Sequence, residues 1–524
     1  TAAEATTTFT YDTTHPEDLV AAVDGRGKRW EYVYDSDTGD LLEAVDPEGG
    51  SSTMAYNSIG WVTSVVAPKG NETGATPADW MTRFEHDDWG RVVAEVDPLA
   101  NRVETTFDAN GNVISTETGL SATVTAGDVT TYGYDAVDRL TTVDPPGPGA
   151  RTYSYDADGR RTGFVNEVNE PGDGWVYAYD DLGRLESQTD PADATTAYGY
   201  DEASRLVSVT QPGGNCASTP AVDCITYSYD PAGRPTGVDY SDPATPDVTG
   251  IVYDAVGRRT AASRAGDTEA WAWDARSRLV SHTDVNGRAT TYGWDHTGNL
   301  VSIGYPGQST PLTRAFDDAG QMVSVTDWAS RTTTFDYDGN GNWESTVFPT
   351  SSQNSDLYSF DRADRMVGVT WKRASATLGS LAYAPRDAKG LVTSVTGTGT
   401  AAAAGQVWDY DTRDRLVDTG SEVFGFDAAT NLVDADGVLQ VFDPAQRLCW
   451  TSETATGGDC GTPPADATTY GFDERGNRTS MTYPSGTTAA YGFDAENRMT
   501  SAELPSANWD TETRQFVTLT PARI

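Results

Sequence analysis

One short unit recurs along almost the whole chain, and this repetition constrains the fold more than any other feature. The unit reads aromatic, any residue, aromatic, Asp, two variable residues, then Gly, Asp or Ser, then Arg or Asn, then Leu or Val. The unit recurs about 22 times at a mean spacing of about 23 residues, with Asn57 and the Arg386-Asp387 pair as degenerate anchors, and this period is typical of repeat architectures. Because no segment of ordinary globular sequence interrupts the units, we expect residues 1–524 to form one continuous array rather than several domains.

Each unit is predicted to be a β-hairpin. Its two aromatic residues point to the same side of a strand, because side chains alternate with a period of two. The Asp ends the strand, since its carboxylate accepts a hydrogen bond from a backbone N–H two residues on, and a Gly such as Gly183 suits the positive φ that follows. A second strand then returns, in which Leu140 and Val143 are three residues apart and therefore require a bulge or partial burial of both faces. The residues assigned a structural anchor role are Tyr132, Tyr134, Asp135, Tyr177, Tyr179, Asp180, Trp271, Trp273, Asp274, Tyr292, Trp294, Asp295, Tyr491, Phe493 and Asp494.

The predicted fold is all-β, a long antiparallel meander of hairpins that spirals into a hollow shell or barrel. About 44 strands at a spacing of about 4.8 Å would make a sheet about 210 Å wide. Twisted open sheets rarely exceed about ten strands without curling or splitting. A single closed turn of that width would be about 67 Å across, too wide for side chains to fill. We therefore expect a spiralling sheet around a cavity, with motif aromatics stacked across neighbouring strands.

The composition argues against several functional classes. The formal net charge is −42, from 78 acidic and 36 basic residues, whereas nucleic-acid binding relies on a basic face. The sequence contains no run of about 18 apolar residues, so we expect no membrane-spanning helix. The 14 Trp, 25 Tyr and 14 Phe argue against disorder, which is typical of chains with few aromatics.

The four cysteines form two close pairs, Cys216 with Cys224 and Cys449 with Cys460. Each pair lies in or beside an insertion in an unusually long repeat, at residues 211–223 and 450–462. We expect two local disulfides, which implies an oxidising, extracellular setting at the cell surface or in the medium. Four free thiols are the alternative, and a metal site is disfavoured because neither pair has the Cys-x-x-Cys spacing. A third long repeat has no Cys, and its residues 68–79 are predicted to form a plain surface loop.

The sequence offers little sign of enzyme chemistry. It contains no Gly-x-Ser-x-Gly elbow, no His-Glu-x-x-His and no Gly-x-x-x-x-Gly-Lys, and we assign no catalytic residue, cofactor or metal. The segment that begins at Asp336 resembles the start of a calcium loop, but the Glu expected at its twelfth position falls at Val347, so a repeat turn is favoured. The tryptophans outside the motif positions, which are freer to bind a sugar, are Trp30, Trp80, Trp89, Trp343 and Trp371.

The Tyr-x-Tyr-Asp-x-x-Gly-Arg-Leu units, from Phe9 to Met499, resemble the tyrosine–aspartate (YD) repeats of the rearrangement-hotspot (Rhs) family. The resemblance implies a hollow β-shell. Bacterial relatives enclose a C-terminal toxin domain in such a shell, as in polymorphic secreted toxins and the cocoons of insecticidal toxin complexes, and animal teneurins use a similar shell for adhesion. The Asp-Pro-x-Gly-Leu segment that usually closes the bacterial shell does not occur in this sequence, so self-cleavage and toxin activity are not carried over. We expect the chain to be an excerpt of a longer polypeptide.

These observations favour a structural, non-enzymatic shell of a secreted or surface-exposed bacterial protein. Its expected partners are a polypeptide cargo, such as a toxin domain, or the remaining shell segments, and no nucleic acid. One alternative is an extracellular adhesion scaffold that binds a cell-surface glycan or protein. A third is a carbohydrate-active enzyme built on the shell, whose groove would contain acids off the motif positions, such as Asp88, Glu95, Glu104 and Glu344.

Overall fold

The computed structural model describes residues 6–169, 172–349, 353–399 and 405–505. Within these residues the chain consists of 45 β-strands, two short 3₁₀ helices and no α-helix. The strands form sheets of 35, eight and two members, and strands that are neighbours in sequence pair antiparallel. The predicted all-β meander of hairpins is confirmed.

The strands follow one another in chain order and are mostly five to eight residues long. The first eleven are β1 (Thr8–Tyr11), β2 (Leu19–Val23), β3 (Arg29–Tyr34), β4 (Leu41–Val45), β5 (Ser51–Tyr56), β6 (Val62–Val66), β7 (Met81–His86), β8 (Val92–Val96), β9 (Arg102–Phe107), β10 (Val113–Leu120) and β11 (Asp128–Tyr134). The next are β12 (Leu140–Asp144), β13 (Arg151–Tyr155), β14 (Arg161–Val165), β15 (Trp175–Tyr179), β16 (Leu185–Thr189), β17 (Thr195–Tyr200), β18 (Leu206–Asn215), β19 (Val222–Tyr229), β20 (Pro235–Tyr240), β21 (Val248–Tyr253), β22 (Arg259–Arg264), β23 (Asp267–Trp273) and β24 (Leu279–Thr283).

The later strands continue the same pattern, with shorter strands near residue 410. They begin with β25 (Ala289–Trp294), β26 (Leu300–Gly304), β27 (Leu312–Phe316), β28 (Met322–Thr326), β29 (Thr332–Tyr337), β30 (Trp343–Val347), β31 (Asn354–Phe360), β32 (Met366–Arg373), β33 (Ala376–Tyr383), β34 (Ser394–Gly399), β35 (Gln406–Val407), β36 (Asp409–Tyr410) and β37 (Leu416–Asp418). They end with β38 (Phe424–Phe426), β39 (Leu432–Ala435), β40 (Val438–Phe442), β41 (Leu448–Ser452), β42 (Thr468–Phe472), β43 (Arg478–Thr482), β44 (Thr488–Phe493) and β45 (Met499–Glu503).

The chain divides into two compact units, each made of two separate stretches of repeats. Unit 1 contains residues 1–131 and 290–421, and unit 2 contains residues 132–289 and 422–524. The earlier stretch of each unit is termed its first run and the later stretch its second run. That residues 1–524 behave as one continuous array stays a prediction.

A β-bulge in the return strand of each hairpin explains a spacing that simple alternation does not. In the hairpin of β17 and β18, Tyr200 pairs with Leu206, whereas Tyr198 pairs with Val209. One extra residue on the return strand therefore lets Leu206 and Val209, three residues apart, face the same side as the two tyrosines. The same shift recurs in many other hairpins. Of the two explanations that the sequence left open, the bulge is present in the structure.

The sheets enclose little core. Only 14 apolar residues are buried in the described part of the chain, and the two largest fully buried side chains are Trp450 and Asp494. Along β15 the motif residues Tyr177 and Tyr179 are half-buried, while Val176 and Ala178 between them are exposed. This burial pattern is that of a single-layer sheet, in which side chains cover one another along one face.

Candidate structural site: the motif turn and the seams

The motif turn, defined as the anchoring Asp and the four residues after it, has one hydrogen-bond pattern in most repeats. In the turn that begins at Asp135, the carboxylate Oδ1 accepts hydrogen bonds from the backbone N–H groups of Val137 and Arg139, both at 3.0 Å. The backbone N–H of Asp135 donates to the carbonyl of Arg139. Asp138 takes a positive φ of 62°, the position that Gly183 fills in another repeat with φ 78°. The same two bonds to Oδ1 recur at Asp180, Asp201, Asp230, Asp254, Asp274 and Asp494.

The Arg that ends a motif turn fastens its repeat to the next one. Arg139 Nε donates to Asp135 Oδ2 at 2.6 Å, and its Nη1 donates to the backbone carbonyl of Asp156, the next anchor, at 2.7 Å. Its guanidinium carbon lies 4.9 Å from the centroid of the Tyr155 ring, and the Tyr155 hydroxyl donates to the carbonyl of Leu140 at 2.8 Å. This set of contacts is termed the repeat staple.

The repeat staple recurs at four further junctions, where an Arg ends the turn and an aromatic residue ends the next motif strand. The guanidinium-to-ring distances are 4.6 to 6.0 Å for four further pairs: Arg184 with Tyr200, Arg205 with Tyr229, Arg234 with Tyr253 and Arg258 with Trp273. In each pair the ring also donates a hydrogen bond back to a carbonyl of the preceding repeat. Sequence reasoning missed this role, although the regular Arg four residues after the Asp was its visible signal.

The anchoring carboxylates are held in their charged form by these contacts. The backbone N–H of Arg139, the guanidinium of the same residue and the backbone N–H of Val137 lower the pKa of Asp135, against a smaller opposing effect of burial. The pKa of Asp201 and of Asp230 is lowered in the same way, first by the backbone N–H of the Arg four residues on and then by its side chain. A carboxylate that accepts several hydrogen bonds is stabilised as the anion.

The structure places the predicted anchor aromatics in the strands that lead into motif turns. The pairs lie at the ends of five strands: Tyr132 and Tyr134 in β11, Tyr177 and Tyr179 in β15, Trp271 and Trp273 in β23, Tyr292 and Trp294 in β25, and Tyr491 and Phe493 in β44. The first aromatic of a pair can contact the strands on both sides, as Trp271 does with the guanidinium of Arg259 in β22 at 4.0 Å and with the ring of His282 in β24 at 5.4 Å.

The turns between repeats, termed connecting turns, are built in the same way as the motif turns. Asp97 Oδ1 accepts hydrogen bonds from the backbone N–H groups of Leu99 and Asn101, each at 2.8 Å. Because hairpin strands run antiparallel, the motif turns and connecting turns of one run lie at opposite edges of its sheet. Connecting turns with this Asp arrangement begin at Asp24, Asp46, Asp97, Asp190, Asp284 and Asp327.

In unit 1 the connecting turns of the first run contact the motif turns of the second run, and this line of contacts is termed the seam. Arg26 donates to the backbone carbonyls of Asp317 and Asp318 at 2.8 and 3.0 Å. Further along, the seam contains ion pairs between Asp79 and Arg362, at 2.9 Å, and between Lys389 and both Asp128 and Asp414. Except for Lys389 and Asp414, which belong to the same run, the paired residues are about 260 to 290 positions apart in sequence. No local sequence pattern therefore indicates these contacts.

The expectation of a plain surface loop at residues 68–79 is wrong. The segment forms two 3₁₀ helices, Pro68–Asn71 and Pro77–Trp80, and takes part in the seam of unit 1. Lys69 Nζ lies 2.8 Å from the carboxylate of Asp338, whose side chain is only 5% exposed, and the backbone N–H of Lys69 donates to Asn340. Lys69 therefore neutralises the carboxylate of Asp338, which belongs to the segment that resembles the start of a calcium loop. In the described ranges no three His, Cys, Asp or Glu side chains are grouped so as to hold a metal ion.

Unit 2 has an equivalent seam. Gln211 Nε2 donates to the carbonyl of Ala495 at 2.9 Å, in a buried position. Glu496, in the motif turn before β45, accepts hydrogen bonds from the Tyr240 hydroxyl at 2.5 Å and from Arg264 at 2.7 Å. Burial and the neighbouring Glu496 carboxylate raise the pKa of Tyr240 to about 12. The phenol therefore remains a hydrogen-bond donor at every ordinary pH.

Both cysteine pairs are joined as disulfides. Cys216 is bonded to Cys224 and Cys449 to Cys460, across eight and eleven positions of sequence. The second disulfide holds a long connecting segment over Trp450, which is 1% exposed and whose Nε1 donates to the carbonyl of Asp459 at 2.8 Å. The insertion beside this disulfide therefore encloses a small local core.

The tryptophans outside the motif positions lie in different surroundings. Trp89 is 77% exposed in a motif turn, beside the guanidinium of Arg91 at 5.0 Å. Trp80 lies under Lys69 in the seam, and Trp343 contacts the rings of Phe335 and Tyr358. Trp30 and Trp371 are half-buried in β3 and β32.

The acids considered for an enzyme groove are spread over different elements. Asp88 lies in the motif turn that begins at Asp87, Glu95 lies in β8, and Glu344 lies in β30. Glu104, in β9, pairs with Arg102 at 2.6 Å. A polar cavity of about 680 Å³ in unit 1 is lined instead by seam residues that include Glu48, Glu72, Asp317 and Asp338. No helix in the ranges that the structure describes is long and apolar enough to cross a membrane.

Comparison with known proteins identifies the repeat. The RHS Repeat family model matches residues 179–215, 253–289, 273–310 and 472–507. No curated protein sequence matches the chain. Crystal structures titled TcdB2-TccC3-Cdc42 and TcdB2-TccC3 are similar in fold, each with a TM-score of 0.52 and 13% identity, over 93% and 94% of this chain. A Photorhabdus luminescens Tc holotoxin pore structure has a TM-score of 0.49 and 14% identity to this chain. The alignment covers 93% of this chain and 26% of the holotoxin chain.

The chain spans about 28% of the length of each of the two TcdB2-TccC3 chains that it matches. At this identity the likeness shows a shared fold. The fold, the stapled YD motif turns and the four RHS-repeat matches together show that the chain is a protein of the Rhs, or YD-repeat, family.

Proposed function

We propose that this chain is part of the wall of an encapsulating shell that shields a polypeptide cargo, such as a toxin domain. The observation that carries this proposal is that a single-layer sheet is fastened in two directions, by repeat staples along each run and by a seam between the runs of each unit. Such a sheet is suited to be a barrier. It encloses little core of its own, and the staples and seams hold its strands and turns against their neighbours.

The staples supply cohesion that a one-layer sheet otherwise lacks. A compact domain of this size draws most of its stability from buried apolar side chains, whereas here only 14 apolar residues are buried in the described ranges. In each staple one Arg combines a charge-assisted bond to its own Asp, a bond to the next anchor and a cation–π contact. The array is thus held together by many small polar contacts that repeat along the chain.

The seams supply closure in the second direction. In unit 2, Gln211, Thr245 and Tyr240 of the first run all bond to the motif turn at residues 494–498 of the second run. Contacts of this kind join the two turn edges at the seam, which hinders the passage of a polypeptide between them. A wall that keeps proteases and other proteins away from a cargo requires seams that are closed in this way.

The comparisons support a place in a larger assembly. The titles of the two similar crystal structures name both TcdB2 and TccC3, and the chain spans about 28% of the matched chains. We propose that the natural protein is a longer polypeptide, with the cargo and further shell segments outside residues 1–524. The two disulfides favour secretion or exposure at a bacterial cell surface, because disulfides persist in oxidising compartments. The proposed role is steric and needs no catalytic residue.

Protease protection of the natural full-length protein tests this function. Trypsin digestion followed by mass spectrometry should yield no cargo peptides from the native protein, and should yield them after the shell is opened with urea. The isolated cargo domain, digested in the same native buffer, is the control and should be cleaved at once. Cleavage of the cargo at the same rate in the native protein and in isolation would contradict the proposal.

A further inference from the structure

The strand β1 has one free edge. Its residues Thr8–Tyr11 pair with β2, with the shift of register after Thr10 that marks a motif hairpin, and with no other strand in the described ranges. The strand β13, which has the same place in its own repeat, is paired on both sides, with β12 and with β14. The free edge of β1 therefore presents a row of backbone N–H and carbonyl groups that can pair with a further strand.

The two motif aromatics of β1 are more exposed than their counterparts in β13. Phe9 is 57% exposed and Tyr11 is 51% exposed, whereas Tyr153 and Tyr155 are half-buried. In β13 the neighbouring return strand, β12, lies beside the ring of Tyr155 and accepts the hydrogen bond of its hydroxyl. Because no described return strand lies on this side of β1, its aromatic pair is exposed to solvent.

Tyr11 has the position of the aromatic member of a repeat staple. In the complete staple the guanidinium of Arg139 lies 4.9 Å from the centre of the Tyr155 ring, and the Tyr155 hydroxyl donates to the carbonyl of Leu140, the residue after the Arg. Four further junctions have the same bond from the ring to the residue after the Arg. In the part of the chain that the structure describes, no arginine stacks on the Tyr11 ring and no carbonyl accepts from its hydroxyl. The side chain that elsewhere joins two repeats is therefore available to join a further one.

We propose that the return strand of a further repeat pairs with the free edge of β1, and that its Arg completes a staple on Tyr11. This partner is a strand that reads Arg, Leu or Val, two variable residues and Val, with a motif turn before it. The Arg supplies the cation that stacks on the ring, and the next residue supplies the carbonyl that accepts from the Tyr11 hydroxyl. The inference rests on the proposed function, because the further repeat belongs to the longer polypeptide of the shell, and it identifies the edge and the side chains at which the wall continues.

The complete junctions set the register of the added strand. Between the antiparallel strands β12 and β13, Thr142 pairs with Thr152. Thr152 and Thr8 each lie three positions before the last aromatic of their strand, and Thr142 lies three positions after its Arg. The residue three positions after the Arg of the added strand should therefore lie opposite Thr8. A strand in another register would place its Arg away from the Tyr11 ring.

A synthetic peptide with the sequence of residues 135–144 tests this pairing on the whole chain, because it contains one complete motif turn and its return strand. Hydrogen exchange should show that the peptide protects the backbone amides of Thr8–Tyr11. Fluorescence anisotropy of the labelled peptide measures its affinity, in high salt that screens the repulsion between the acidic peptide and a chain of net charge −42. The peptide with Arg139→Lys should bind roughly tenfold more weakly, because lysine lacks the planar group that stacks on the ring.

Variants of the chain locate the contact on Tyr11. Tyr11→Leu should bind the peptide roughly 30-fold more weakly, since it loses the ring and the hydroxyl together. Tyr11→Phe keeps the ring, so it should lose only about threefold and should still prefer the Arg peptide to the Lys peptide, and it replaces Tyr11→Leu if that variant disturbs β1. Thr10→Val changes the opposite face of β1 and is the matched control, which should bind the peptide like the unchanged chain.

Failure of the peptide to bind, or equal binding of the Arg and Lys peptides, would overturn the inference. Equal protection of Met499–Glu503 would also overturn it, because β45 is an edge strand in the described ranges, paired with β44, but is a return strand without a motif aromatic. A chain that associates with itself without the peptide, and loses this association in Arg498→Ala, would assign the edge of β1 to a second copy instead.

The result at β1 is separable from the result for the shell function. Protection of the cargo from trypsin without binding of the peptide would refute the pairing at β1 and leave the shell function standing. Binding of the peptide without protection of the cargo would support the pairing at β1 and contradict the shell function.

Discussion

The guanidinium of Arg139 lies 4.9 Å from the centre of the Tyr155 ring in the following repeat, while its Nε stays bonded to Asp135 in its own repeat. One side chain therefore links two successive hairpins. This relationship recurs along the array. It explains why the motif contains both an Asp and an Arg, because the carboxylate positions the guanidinium against the aromatic ring of the next repeat.

Replacing Arg139 by Lys should loosen the junction between two repeats. Lysine keeps the charge but lacks the planar group that stacks on a ring and donates in two directions at once. We expect hydrogen exchange of the backbone amides at residues 140–156 to accelerate by roughly tenfold. Arg288→Lys is the control, because Arg288 pairs with Asp284 in an exposed connecting turn, and its effect should be much smaller. Equal effects of the two substitutions would show that the stack on Tyr155 adds nothing.

Acid should open the motif turns. The pKa of Asp135 lies below its ordinary value of 3.8 in the folded chain, so unfolding takes up a proton. The stabilisation is therefore complete above the ordinary pKa and is lost as the pH falls through the lower, folded pKa. As the pH falls from about 5 to below 3, hydrogen exchange in the motif turns, corrected for its intrinsic pH dependence, should accelerate.

One repeat supplies an internal control for the acid experiment. The turn at residues 57–61 has Asn57 as its anchor, and the Asn57 Oδ1 accepts the same two backbone hydrogen bonds without a charge. Exchange in this turn should change far less with pH than exchange in the Asp-anchored turns. An equal response of both kinds of turn would attribute the acid effect to the falling net charge of the whole chain instead.

Substitution of Glu496 by Ala should weaken the seam of unit 2. The change leaves Arg264, a nearly buried cation, without its carboxylate and removes the acceptor of the Tyr240 hydroxyl. Because Glu496 is partly exposed, we expect a loss of about 1–2 kcal/mol in the free energy of opening of residues 488–503, measured by native-state hydrogen exchange. Glu31→Ala, which breaks the exposed pair with Arg29, is the matched control and should cost less than about 0.5 kcal/mol.

Removal of the disulfide between Cys449 and Cys460, by changing both residues to Ala, should destabilise the segment that covers Trp450. The chain-entropy model for a closed loop of this length gives about 2–3 kcal/mol. Hydrogen exchange of residues 449–467 should show the loss, and exchange of residues 206–229 around the other disulfide should not change. A uniform change over both segments would mean that the two insertions do not unfold separately.

The hairpins could be predicted from the sequence because their determinants are local. An aromatic pair, an Asp and a Gly or Asp within eight residues define the strand, the turn and the positive φ, as Tyr132, Tyr134, Asp135 and Asp138 illustrate. The spacing of Leu and Val predicted either a bulge or partial burial of both faces, and the structure contains the bulge, as between Leu206 and Val209. All of these features depend on residues that are close in sequence.

The seams could not be predicted because their determinants are distant. Lys69 and Asp338 are 269 positions apart, and neither residue departs from what a surface turn would contain. The expectation for residues 68–79 was wrong for the same reason. Their Pro, Gly and Asn indicate a loop, and the residues that they contact, such as Asp338, are about 270 positions away in sequence. The role of Arg139 could not be predicted for a different reason, because its partner ring, Tyr155, belongs to the next repeat and lies outside the unit that defines the motif.

The radius of gyration of the isolated chain in solution tests the central claim most directly. Small-angle X-ray scattering measures it together with the distribution of interatomic distances. A compact protein of this length would have a radius of gyration of about 24 Å and a symmetrical distance distribution. The proposed single-layer wall around a cavity predicts a clearly larger radius and a distribution shifted to long distances. A radius near 24 Å with a symmetrical distribution would contradict the shell.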